Sequence, residues 1–206
     1  MARIETEQQL REIYKEPAGR AVIKQTDRLE VHSKRFLAFS PFCLLATNSA
    51  AGGTDVSPRG EEPGFVQVID DLTIALPDRP GNNRIDSFRN IIANPDVGLI
   101  FLIPGVNETL RINGRAEIRD DEDLMARFEI NGKLPKSVML ISIKEVFLHC
   151  AKALVRSQLW DPAAQIARSD LPPTSRMIAD MAGEAGADLP QESQEEMSRR
   201  QKEVLY

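Results

Sequence analysis

Seven consecutive residues, Asp78-Arg79-Pro80-Gly81-Asn82-Asn83-Arg84, set cations, amides and a glycine directly ahead of a helical stretch. Such a loop is suited to holding an anion. The first N–H groups of a helix have no partner within it, and the helix dipole puts partial positive charge there. Arg84 in the first turn adds a full charge and planar donors, and Gly81 lets the backbone come close to a ligand. The plain alternative is an ordinary capped helix carrying surface arginines, and the loop alone does not choose between the two.

Three further places carry polar chemistry. Val56-Ser57-Pro58-Arg59-Gly60 ends a strand-like stretch, with Arg59 free to face solvent or a ligand. Thr109, Arg111, Asn113 and Arg115 alternate along one face of a longer strand, a face that meets water, a ligand or a partner. In His149 to Trp160, Lys152 and Arg156 lie four apart and share a face if that stretch is helical. Trp160, the only tryptophan, follows; it is either a core indole beside a surface basic pair or part of a wall for a flat anionic ligand.

Other chemistries lack their residues. There is no GxSxG turn, HExxH pair or P-loop. His149 and Cys150 are adjacent on a strand, so they point to opposite faces and make no dyad. His32 lies in an amphipathic stretch, as a surface or packing residue. Cys43 and Cys150 stand apart, each beside apolar residues, and both read as small buried thiols. The acidic run Asp120–Asp123 reads as a helix start, where negative charge is favourable. No metal site and no catalytic side chain is indicated.

These residues need elements to position them. Helices are expected over residues 6–16 and 32–39. Phe42 to Thr47 and Thr54 to Ser57 read as a hairpin around Ser49-Ala50-Ala51-Gly52-Gly53. Gly64 to Asp70 and Leu72 to Leu76 form a second pair. After the 77–83 loop a helix should start with Asn83 as N-cap and Asp86 at its third position. Its apolar stripe would be Ile85, Phe88 and Ile92, and Asn94-Pro95 should stop it. Residues 96–103 read as a buried strand. From Glu108 to Arg119 the alternation is the cleanest in the chain, with Leu110, Ile112, Gly114, Ala116 and Ile118 on one side. A short helix with Leu124, Met125 and Phe128 precedes a last strand, Val138 to Leu148. Hairpin-length connections exclude repeated βαβ crossovers. The expected fold is mainly β (α+β), a six-stranded antiparallel sheet or barrel with peripheral helices. Residues 161–206 read as a helical, polar tail.

Composition sets the outer limits. The chain has 206 residues with 26 Lys+Arg and 31 Asp+Glu, hence a net charge of −5. It has no basic block, which argues against general nucleic-acid binding. Two histidines and two cysteines leave little material for a metal site or a disulfide framework. The longest apolar run, Val97 to Ile103, is far short of the roughly 20 residues of a membrane-spanning helix. The first residues, Met-Ala-Arg-Ile-Glu-Thr-Glu, lack the apolar core of a secretory signal. A cytoplasmic protein is the expectation.

Five motifs in order carry a resemblance across about residues 40–160. They are Cys43-Leu44-Leu45-Ala46-Thr47, Ser57-Pro58-Arg59-Gly60, Thr73 to Asp78 leading into Asn82-Asn83-Arg84, Asn94 to Phe101, and Glu108 to Ala116. In these the chain resembles the pyridoxamine 5′-phosphate oxidase-related flavin proteins, the FMN-binding split β-barrel superfamily. Cys150-Ala151-Lys152-Ala153 and Arg156-Ser157 look like an uncharacterised branch of it. The resemblance implies a split barrel over 41–160, between an N-terminal helical arm (1–40) and a C-terminal tail (161–206). It also implies a homodimer with FMN at the subunit interface and a small-molecule substrate.

Carried over position by position, Arg59 belongs to the FMN phosphate or ribityl chain, and Ser57 is a further cofactor-binding candidate. Pro77 and Asp78 line the flavin, and Asn83 and Arg84 grip the phosphate. Thr109 and Arg111 reach the FMN of the other subunit; Lys152, Ser157 and Trp160 are further candidates. The implied activity is an FMN-dependent oxidoreductase working by hydride transfer. A flavin carrier or regulatory module, or a different ligand such as haem or a deazaflavin, stands beside it. The chain departs from the true oxidases after the 120s helix. There Phe128 to Pro135 lacks their basic and hydroxyl cluster, and the last residues, Lys-Glu-Val-Leu-Tyr, replace their Arg-Leu-Xaa-Pro. Vitamin B6 oxidation is therefore not expected.

Overall fold

A computed structural model describes residues 3–186 and 188–206. Met1 and Ala2, in the expected arm, and Ala187, in the expected tail, lie outside the described residues. The first elements are α1 (Glu7–Ile13), α2 (Arg20–Ile23), β1 (Gln25–Thr26) and α3 (Val31–Phe39). Then follow β2 (Phe42–Asn48), β3 (Thr54–Gly60), β4 (Gln67–Asp70), β5 (Thr73–Pro77), α4 (Asp86–Ala93), β6 (Asp96–Leu102), β7 (Thr109–Arg119), α5 (Glu122–Ala126) and β8 (Val138–His149). The chain continues through α6 (Lys152–Ser157), α7 (Thr174–Ala182) and α8 (Gln194–Glu203).

The strands run in the order β3-β2-β6-β7-β8-β5-β4 and every pairing is antiparallel. The expected fold class therefore holds, but the strand count does not. Seven strands form the path, and the two-residue β1 pairs with the C-terminal half of β8 as an eighth. No alternation can announce a two-residue strand; β1 exists because β8 outruns β5 and leaves an edge to be covered. Among the described residues no helix is long and apolar enough to cross a membrane.

The core is built from the inward residues of the alternating strands. Leu45, Leu99, Phe101, Leu110, Ile112, Met139 and Ile141 are fully buried, with Leu37 of α3 and Leu29 closing one side. Along β7 the alternation runs in phase through to Arg119, and a bulge in β8 sets Asn113 opposite Glu145 and Gly114 opposite Ile143.

Two expectations need correction here. The first concerns α4. It starts at Asp86, its N-cap is Ile85 in the left-handed region (φ 52°), and no side chain caps it. Asn83 also has positive φ (58°), so the chain turns twice before the helix instead of entering it at Asn83. The buried face of α4 is then Ser87 and Ile91, with Phe88 half-buried, while Ile85 and Ile92 are exposed. Two extra turns in the loop rotate the face that a stripe counted from Asn83 assigns.

The second concerns the cysteines. Cys43 is fully buried, but Cys150 is exposed because the chain leaves the sheet just after His149. Burial pushes the Cys43 thiol up to about 12, against a smaller opposing pull from Arg59. A backbone N–H from Lys152 holds the Cys150 thiol below its ordinary value. Titration of the native protein with a thiol reagent should therefore modify Cys150 rapidly and Cys43 only after denaturation. Two thiols reacting at one rate in native buffer would contradict this burial.

Candidate functional site

Among the described residues β3 is an edge strand, paired only with β2. An edge tolerates Pro58, which has no N–H to donate. Asp55, Ser57 and Arg59 alternate along β3, so all three project to the same side and are half-buried. They line a cleft of about 370 Å³. Its opposite wall comes from the segment after β5, where the Asp78 N–H donates to the Ser137 carbonyl (2.9 Å) and the Lys136 N–H to the Asp78 carbonyl (3.3 Å). Those bonds bring Lys136 into the cleft beside Asp78.

Two ion pairs tie the end of β3 to this wall. Arg59 Nη1 lies 3.3 Å from Asp78 Oδ1, with both side chains mostly buried. Arg79 Nε donates to Glu61 Oε1 at 2.9 Å and its Nη2 to the Phe128 carbonyl at 2.8 Å. Sheet curvature has thus brought two strands together that do not pair. Burial raises the Asp78 carboxyl above its ordinary range, against the opposing pull of Arg59 and Lys136.

The third wall is the 81–88 segment. Asn82 Oδ1 accepts from the Arg84 N–H (3.1 Å), and Asn83 Oδ1 from Lys136 Nζ (3.5 Å). The α4 start brings Asp86, Ser87 and Phe88 to the cleft with no side-chain cap on the first-turn N–H groups. Ser87 Oγ lies 3.3 Å from Ser57 Oγ, and Asn90 donates to Thr47 Oγ1 at 2.9 Å, which pins α4 against β2. Arg84 is largely exposed and paired with Asp86 at 2.8 Å.

Two polar atoms on the β3 face are buried and have no partner among the described residues: Arg59 Nε, a donor, and Asp55 Oδ2, an acceptor. Leaving such groups unsatisfied costs about 1–3 kcal/mol each. A ligand satisfies both only if it offers an acceptor to one and a donor to the other.

Of the residues singled out in the sequence, Ser57, Arg59, Asp78, Asn83 and Arg84 meet in this cleft. Pro77 is buried at the end of β5, immediately before it. Thr109, Arg111, Lys152, Ser157 and Trp160 do not line it. Thr109 and Arg111 lie on the outward face of β7, where Arg111 Nη2 meets Glu145 Oε1 at 2.5 Å and packs over the Phe147 ring at 4.9 Å. Lys24 Nζ lies over the same ring at 4.6 Å, and His149 packs edge-on to it at 4.8 Å. Arg111 Nε and His149 Nε2 are buried there without partners among the described residues. Burial, then Arg111 and Lys24, lowers the His149 imidazole below its ordinary value. Lys152 and Ser157 are exposed on α6, and Ser157 Oγ donates to the Leu154 carbonyl. Trp160 is half-buried and donates to the Val106 carbonyl at 2.8 Å.

Asp55, Ser87 and Lys136 also line the cleft, outside the stretches picked out by their chemistry. Asp55 carries a signal, since it is in phase with Ser57 and Arg59. Arg79 stands in the anion-suited loop but is committed to Glu61. Ser87 and Lys136 have no local signal, because only the packing of α4 on β3 and the pairing of β5 with β8 bring them in.

The pyridoxamine 5′-phosphate oxidase family model matches residues 29–150. None of the curated proteins matches the chain. Solved structures that the chain matches include HupZ from Group A Streptococcus, at 22% identity over 58% of this chain and 93% of that one, TM-score 0.48. An FMN-binding protein from Syntrophomonas wolfei is 12% identical over 58% and 86%, TM-score 0.45. A Clostridium acetobutylicum protein related to general stress protein 26, of the pyridoxinephosphate oxidase family, is 12% identical over 58% and 87%, TM-score 0.43.

Proposed function

The chain belongs to the pyridoxamine 5′-phosphate oxidase family, and from that premise we propose that it is an FMN-binding, FMN-dependent oxidoreductase acting on a small molecule. The carrying observation is the pair of unsatisfied atoms on β3. Arg59 Nε needs an acceptor and Asp55 Oδ2 needs a donor, on one strand face with Ser57 between them. A phosphate ester of a polyol offers both, phosphate oxygens to the arginine and a hydroxyl to the carboxylate. These residues therefore fit the ribityl phosphate of FMN.

In this reading Arg59, Ser57, Asn83, Arg84 and the uncapped start of α4 hold the phosphate, and Pro77 and Asp78 form the wall beside it. Thr109 and Arg111, with Lys152, Ser157 and Trp160 as further candidates, reach a cofactor only from a second copy. The functional unit is thus a cytoplasmic homodimer with the cofactor at its interface. We divide the chain into an arm (1–40), a barrel (41–160) that holds the whole cleft, and a tail (161–206). When bound, FMN supplies hydride transfer; the protein supplies position, electrostatics and exclusion of water.

Three measurements test this. The purified chain should show a flavin spectrum, on isolation or after addition of FMN, and sedimentation should give a dimer. Stopped-flow mixing with NADH or NADPH should bleach the flavin. A colourless protein that takes up no FMN would sink the proposal. Flavin binding without reduction by any donor would make the protein a carrier or regulatory module instead.

A further inference from the structure

We infer that Asp78 is a built-in competitor for the phosphate of the ligand, occupying Arg59 when the cleft is empty and surrendering it when a phosphate ester binds. This rests on the flavin reading above and adds a residue that sets affinity and selectivity.

The geometry is that of an exchangeable pair. The 3.3 Å separation of Arg59 Nη1 and Asp78 Oδ1 is long for a charge-assisted hydrogen bond. Arg59 uses Nη1 on Asp78 while its Nε has no partner, so the guanidinium is only partly engaged. A phosphate that takes Nε together with an Nη group gains the two-pronged contact that Asp78 does not make. Burial holds the Asp78 carboxyl above its ordinary range despite two neighbouring cations, as expected for a carboxylate only weakly repaid by its partner.

Backbone bonds to Ser137 and Lys136 hold the Asp78 main chain on both sides, so the residue stays on the cleft wall. The charges around it are few. Asp55 and Arg59 project from β3, and Lys136 stands just ahead of β8. Arg79 is taken by Glu61, and Arg84 by Asp86 of α4. Once Arg59 turns to the phosphate, Lys136 is the one cation lining the cleft, among the described residues, that is not already ion-paired for Asp78. The carboxylate then faces the bound anion across the cleft, and that repulsion lowers affinity for phosphate esters specifically.

The test is a pair of titrations, followed by quenching of flavin fluorescence, with FMN and with riboflavin, which lacks the phosphate. Asp78→Asn keeps the shape and both backbone bonds but removes the charge. It should bind FMN about tenfold more tightly than the parent chain, with riboflavin binding unchanged. Asp78→Glu should stay near the parent for both. A thermal melt of each variant confirms that the fold is intact. Equal or weaker FMN binding by a folded Asp78→Asn protein overturns the competitor role, as does equal tightening for riboflavin. A parent chain that binds neither flavin overturns the flavin reading itself and the inference with it.

Discussion

Arg59→Ala binds FMN about a hundredfold more weakly than the parent chain, a loss of about 3 kcal/mol. Charged hydrogen bonds to phosphate account for most of it. The rest comes from Asp78, which then has only Lys136 beside it and presents a less compensated carboxylate to the incoming anion. Arg59→Lys should fall between the two proteins, because an ammonium restores the charge but not the planar fork. Calorimetric or fluorescence titration of the three proteins reads the series. An Arg59→Ala protein within twofold of the parent would remove Arg59 from the site. Arg84→Ala should lose clearly less, since Arg84 is largely exposed to solvent and already paired with Asp86.

Gly114→Ala should destabilise the fold by about 3 kcal/mol and lower the melting temperature by about 10 °C. A Cβ at Gly114 would stand 2.3 Å from the Ser142 carbonyl oxygen and 3.1 Å from Ile141 Cγ2. The carbonyl cannot give way. Ser142 is paired with Arg115 of β7 on one side and Thr73 of β5 on the other, so β8 is held in the middle of the sheet. The glycine sits at the bulge between β7 and β8. Gly81→Ala is the contrasting control. A Cβ there would meet nothing closer than the Arg79 carbonyl oxygen at 4.0 Å, and its φ is outside the left-handed region, so the melting temperature should not move. An unchanged melting temperature for Gly114→Ala would mean that the bulge relaxes without cost.

Much of the sheet is legible in the chain itself. Apolar and polar residues alternate from Glu108 to Arg119, and the structure places Leu110, Ile112 and Ala116 inside and Arg115, Glu117 and Arg119 outside. The 49–53 turn joins β2 and β3 as the glycines predict, and Asn94-Pro95 ends α4. Periodicity of two is a local property: it depends on which neighbours share a face, and the sequence spells that out. The anion-suited loop is legible for a similar reason, since its cations, amides and glycine are contiguous.

What the chain could not announce is which distant pieces meet. Arg59 and Arg84 look alike as arginines beside turns. Only the curled sheet makes one half-buried against Asp78 and leaves the other in water. Lys136 enters the cleft because β5 pairs with β8, a registration set by the whole sheet. The buried face of α4 shifted because two left-handed residues, Asn83 and Ile85, changed where the helix begins. Sequence by itself determined the longer strands, though not β1, the alternating faces of β7 and the pool of candidate anion-binding residues. Tertiary structure decided which of those residues share one cleft and which charges are already paired. Burial and ion pairing depend on residues far apart in the chain, and no local pattern encodes that distance.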